Sequence, residues 1–148
     1  MKKFFYLMSL CLCMFAGVAL MTSCGDDDID DIDPDNIEFK VGITEKGNTL
    51  TFTAKTSYYT YVEIATFDSN DKCTKFLEQE IYPSKDYANA AWEAYKAEYK
   101  DDPDDWKKYS KDGKTITYDD TEDWAGKSKA EIRSYMEEEQ KYFEQYNK

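Results

Sequence analysis

The sequence predicts an α+β domain built on an antiparallel sheet, and three observations lead there. Residues 37–82 alternate apolar and polar side chains in period two, residues 84–99 and 128–143 repeat apolar side chains at helical spacing, and strands and helices come in runs without βαβ alternation. The expected architecture is a four-stranded meander plus a short hairpin, covered on one face by two amphipathic helices.

Each element has its own signal. Ile37, Phe39, Val41 and Ile43 share one face of a first strand, with Glu38 and Lys40 on the other. Gly47-Asn48 supplies turn residues, and Leu50, Phe52 and Ala54 then alternate with Thr49, Thr51, Thr53 and Lys55, completing a hairpin with one buried and one wet face. Residues 58–67 are dense in β-branched and aromatic side chains, and Asp68-Ser69-Asn70-Asp71 turns the chain into a fourth strand over 72–82. Pro83-Ser84 closes this segment, with Ser84 as N-cap of a helix whose stripe is Ala88, Ala91, Trp92, Tyr95 and Tyr99. Asp101-Asp102-Pro103 ends that helix. Segments 106–109 and 114–118 then flank Ser110-Lys111-Asp112-Gly113, which has the chemistry of a hairpin loop. Ser128-Lys129-Ala130-Glu131 is a capping box. It opens a last helix with the stripe Ile132, Tyr135, Met136 and Phe143, on which Glu137 and Lys141 are spaced to pair on the solvated face.

Composition excludes several function classes. The chain has no histidine, which removes the Ser-His-Asp and Cys-His arrangements together with the commonest metal ligand and general base. Neither a G-x-S-x-G elbow nor a glycine-rich phosphate loop occurs, so no cofactor is expected. With 19 basic and 31 acidic residues and no Lys/Arg cluster, nucleic acid and anionic lipid surfaces are poor partners. Cys73 reads as a small buried strand residue, because no histidine could activate it and no second thiol stands near. Asp31, Asp33 and Asp35 have the spacing that opens an EF-hand loop, but Asn36 and Gly42 occupy the positions that need glycine and glutamate, so no metal site is expected there.

Two groups remain as candidate sites. Asp119, Asp120, Glu122 and Asp123 are the densest acids beside aromatic residues, and they read as a solvated loop, a calcium ligand set or a carboxylate pair for glycoside hydrolysis. Trp106, Tyr109, Tyr118 and Trp124 bracket the second hairpin. They read either as core or as an exposed platform that stacks on sugar rings or anchors a protein partner.

The first residues form a separate unit. Lys2 and Lys3 precede 18 uncharged residues from Phe4 to Met21, the pattern of a secretory signal and also close to the shortest span of a membrane helix. The string Met21-Thr22-Ser23-Cys24 resembles a lipobox with methionine in place of the more usual leucine, and Gly25-Asp26-Asp27-Asp28 is similar to the surface-export signal of Bacteroidota lipoproteins. This resemblance covers about the first 28 residues. It implies a signal peptide over 1–23, a lipid on Cys24, and anchoring in the outer membrane on its exterior face. Residues 24–36, with seven aspartates, then form a like-charged tether reaching on the order of 40 Å, and 37–148 form one domain. Loss of Lys2 and Lys3 leaves 17 basic against 31 acidic residues, a net charge of −14. The expected function is a non-catalytic, membrane-anchored binding module for glycan or protein, with a structural or inhibitory envelope protein as the alternative; oligomeric state has no signal.

Overall fold

A computed structural model describes residues 40–56 and 58–145. The expected signal peptide, Cys24 and acidic tether lie outside the described residues, as do Ile37 and Phe39 of the first expected strand.

The meander forms as the alternation predicts. Strands β1 (Lys40–Lys46), β2 (Thr49–Lys55), β3 (Thr60–Phe67) and β4 (Cys73–Ile81) pair antiparallel in chain order. Gly47 closes the first hairpin at φ +61°, a conformation that glycine adopts without steric cost. In the turn before β4 Asp71 takes φ +56°, and Asp68 Oδ1 accepts the N–H groups of Asn70 and Lys72 at 2.8 and 2.9 Å. Such aspartate turns hold the αL conformation by replacing backbone partners with a side-chain oxygen.

The second hairpin differs from its expectation in three ways. Strands β5 (Tyr109–Asp112) and β6 (Thr115–Asp119) do not stand apart; β6 pairs with β4, Leu77 opposite Asp119 and Ile81 opposite Thr115, giving one six-stranded sheet in the order β1-β2-β3-β4-β6-β5. The turn falls at Gly113, φ +58°, so Ser110, Lys111 and Asp112 are strand and not loop. Trp106 is not in a strand either, because the Asp102-Pro103 pair that ends one helix starts another.

Four helices among the described residues lie on one side of this sheet. Helix α1 (Lys85–Glu98) begins at Ser84, whose Oγ accepts the Tyr87 N–H, and buries Ala88, Ala91 and Tyr95. In the one-turn helix α2 (Pro103–Trp106), Asp102 accepts the Asp105 N–H at 3.1 Å and Pro103 occupies the first turn, where its missing N–H costs nothing. Helix α3 (Thr121–Trp124) is also a single turn. Helix α4 (Lys129–Gln145) carries the full capping box: Glu131 N–H donates to Ser128 Oγ, and Ser128 N–H donates to Glu131 Oε2 at 2.8 Å. Glu137 and Lys141 are both exposed but form no ion pair among the described residues. Instead Gln140 bonds Glu144 on that face, and Lys129 and Arg133 reach Glu45 of β1.

The helix-covered face is decided by β2. Leu50, Phe52 and Ala54 are fully buried there, and Ile132, Met136 and Phe143 of α4 meet them, with the Phe52 and Phe143 rings 5.8 Å apart. Burying one such side chain contributes about 2–3 kcal/mol, so these residues set which side of every following strand turns inward. Cys73 is buried at the start of β4, where burial pushes its thiol up in pKa.

Candidate functional site

Strand register carries acids as well as aromatics to the covered face. Phe52 lies opposite Glu63, Glu63 opposite Glu78, Glu78 opposite Tyr118, and Tyr118 opposite Tyr109. In the adjacent row Tyr61 lies opposite Glu80. Glu63 has no exposed surface; its Oε1 accepts the hydroxyls of Tyr61 at 3.2 Å and Tyr135 at 3.0 Å, while Oε2 has no hydrogen-bond partner among the described residues. Glu80 Oε2 accepts Tyr82 at 2.5 Å and Tyr95 at 2.9 Å. Asp120 Oδ2 accepts the Trp124 indole N–H at 2.9 Å.

Burial governs the charge of this array. It holds the Glu63 carboxyl well above the carboxylate range, and the neighbouring Glu78 and Glu139 add to the effect against the tyrosine hydrogen bonds. Glu78 is pushed up to about 7, first by burial and then by the charge of Asp120. Burial likewise raises Glu139 to about 7. The phenols of Tyr61 and Tyr135 are driven upward, again chiefly by burial, and so remain donors. Glu63 and Glu78 form no ion pair among the described residues, so a directly opposed pair of carboxyls stays in the core by holding protons.

This arrangement stores protons but does not present them. Tyr95 from α1 and Tyr135 from α4 close over the glutamates. A reacting acid needs substrate within about 3 Å, and the fully buried Glu63 offers none such access. The acids chosen from the sequence do not converge either. Asp119 accepts the Thr121 N–H, Asp120 is buried on Trp124, Glu122 reaches Lys108 at 3.6 Å, and Asp123 is exposed. The solvated-loop reading therefore fails for Asp120, which the short α3 turn pulls beneath Trp124. Among the described residues no group of three or more acids or cysteines is placed to hold a metal ion.

The aromatic candidates divide between two clusters. Tyr109 and Tyr118 are buried, with ring centroids 4.7 Å apart, and Trp106 lies 5.7 Å from Tyr109. Tyr95 and Tyr99 of α1 pack on Tyr109 from above at 5.5 and 5.1 Å. Trp124 belongs elsewhere, stacked on Phe76 at 4.6 Å and touching Tyr135 at 4.6 Å. The four thus do not form one exposed platform, because alternation along β5 and β6 turns both tyrosines toward the helices.

What reaches the surface is a corner the sequence reading missed. Trp92 of α1 and Trp106 of α2 are both half-buried, and their rings meet at 4.6 Å with 46° between planes. Tyr99 is half-buried beside them on Tyr109. Neither indole N–H donates a hydrogen bond among the described residues, and neither is a buried unsatisfied atom. Asp101 and Asp102 are exposed in the connecting segment, and Asp104, which pairs with Lys107, is exposed in the first turn of α2. The corner therefore combines apolar ring surface, two open donors and nearby carboxylate acceptors. A signal existed: Trp92 sits on the outer flank of its helix stripe, and Pro103 turns Trp106 back toward it.

No protein-family model matches this chain, and neither a characterised protein nor a solved structure is similar to it.

Proposed function

We propose that this chain is a non-catalytic binding module, held in the outer membrane by a lipid on Cys24 and displayed outward on its acidic tether. Its ligand is a glycan, taken at the corner of Trp92, Tyr99 and Trp106. The observation that carries this reading is the pair of half-exposed indoles with undonated N–H groups beside exposed aspartates. Sugar rings present C–H faces that stack on such rings, and hydroxyls that accept from indole and donate to carboxylate. The anchoring half of the proposal rests on Met21-Thr22-Ser23-Cys24 and the aspartates that follow. Several acyl chains would hold firmly where one alone holds reversibly.

The binding test is a glycan array on the full chain in detergent, followed by calorimetry on each hit. Trp106→Ala and Trp92→Ala should each weaken binding by roughly tenfold or more, as central aromatic contacts do. Trp106→Phe, which keeps a ring and loses the N–H, should fall between. No retained glycan, or affinity unchanged in both alanine variants with the fold intact by circular dichroism, rejects the reading. For the anchor, labelled palmitate should enter the chain and be lost in Cys24→Ala.

A further inference from the structure

The sheet has a second face, and its composition is the reverse of what a surface needs. Because Leu50, Phe52 and Ala54 turn toward the helices, the register sends Val62 and Ile64 of β3, with Leu77 and Ile81 of β4, to the opposite side. Ile64 and Leu77 are direct cross-strand partners at the middle of the six strands. All four are only half-buried. Around them stand Thr51, Thr53, Thr60, Thr115 and Thr117, short side chains that keep the face flat. Every described helix packs on the other side, through Tyr95, Trp106, Trp124, Tyr135 and Phe143.

We infer that this face docks a second copy of the chain, sheet against sheet, about a two-fold axis running parallel to the strands between β3 and β4. Charge distribution on the face selects the occupant and the axis. One row across the sheet reads Lys40, Lys55, Thr60, Ile81, Thr115, Asp112. Turning a copy about that axis lays the Lys40 and Lys55 end over the partner's Asp112 and places Ile64 on the partner's Leu77, in both directions at once. Such self-complementarity is what an isologous interface requires. A two-fold axis across the strands would instead set Lys40 and Lys55 against the partner's Lys46, like on like. Lys46 and Lys75 fall at the rim of the chosen arrangement.

Two sheets packed this way sit about 10 Å apart with strands near −30°. From strand rise and spacing, each copy contributes on the order of 500 Å². The total is close to the lower limit of a specific interface, about 1,000 Å², so the dimer is weak and concentration-dependent. The overall acidity does not forbid it, because salt screens charges beyond about 8 Å and leaves the facing pairs to decide.

Cross-linking of the full chain in its membrane tests this. Gln79→Cys lies near the axis on the open face, whereas Ser134→Cys is exposed on α4. A short bis-maleimide should give dimer from Gln79→Cys several-fold above Ser134→Cys, with the buried Cys73 of the native chain giving none. Asp112→Lys should reduce that dimer several-fold, and adding Lys40→Asp and Lys55→Asp should restore it; these exposed positions do not endanger the fold. Equal cross-linking from both cysteine variants, no dimer from Gln79→Cys, or a dimer indifferent to the charge reversals overturns the inference. Glycan binding at the Trp92 and Trp106 corner is read separately and should not change in any of these variants.

Discussion

The two faces of the sheet are assigned against composition. On the covered face stand three glutamates, Glu63, Glu78 and Glu80, while the open face receives Val62, Ile64, Leu77 and Ile81. Along a single strand, aliphatic residues would choose the core. Antiparallel pairing overrules them, since a shift of one residue in β3 or β4 would send every side chain of that strand to the opposite face, away from the side that β2 has set. The glutamates are tolerated inside because tyrosine hydroxyls from both the sheet and the helices supply hydrogen bonds to Glu63 and Glu80, and because burial raises the carboxyls of Glu63 and Glu78. The glutamates inside and the aliphatic residues outside thus arise from one cause, and each should respond differently to perturbation.

The largest contrast is in packing. Phe52→Ala on the covered face should cost about 3–5 kcal/mol, the range for a large buried aromatic, whereas Ile64→Ala on the open face should cost about 1 kcal/mol or less. Urea denaturation of both variants checks this, and equal costs would mean that the faces are misassigned.

The next effect is on pH. Glu78 and Glu139 titrate near 7 in the fold against an ordinary value of 4.5. Between these values the folded chain holds protons that the unfolded chain has released, so stability falls as pH rises from about 4.5 through 7, and Glu63 acts in the same direction. Thermal scans should give a Tm lower by roughly 5–10 °C at pH 8 than at pH 5, using the usual conversion for a small domain. Glu78→Gln should flatten that dependence. Glu131, which Ser128 holds below the carboxylate range, works in the opposite sense but is fully exposed and contributes little.

Smaller effects sharpen the same picture. Tyr135→Phe removes one of the two hydroxyls on Glu63 and should cost about 1–3 kcal/mol, the penalty of a buried group left under-bonded. Ser128→Ala should cost about 1 kcal/mol by opening the capping box. It lies outside both faces, so it should leave the fall in stability set by Glu78 and Glu139 unchanged.

Local chemistry made much of the fold legible. The first hairpin turn, the Ser84 cap, the capping box and the buried stripe of α4 each depend on residues within a few positions of one another, and each forms as expected. Three features escaped because they depend on distant partners. Residues 115–119 find β4 only through pairing across the α1 excursion. Asp102-Pro103 reads equally well as a stop and a start, and the short helix it opens is what takes Trp106 out of the strand. Within residues 60–67 Tyr61, Ala65 and Phe67 argue for one face and the aliphatic pair Val62 and Ile64 for the other, and pairing with β2 decides between them. The candidate site suffered most: Tyr109 and Tyr118 were legible as aromatic but not as buried, and Trp92 was legible as helical but not as the partner of Trp106.

Carboxyl titration of selectively labelled glutamate, followed by carbon NMR from pH 3 to 9, tests most directly the claim that burial raises the carboxyls of Glu63 and Glu78 on the covered face. The structure predicts Glu78 and Glu139 titrating near 7 and Glu63 well above the usual carboxylate range, and Glu78→Gln removes one of these signals and shifts the Glu63 signal downward. A spectrum in which every glutamate titrates near 4.5 would contradict the assignment of the two faces.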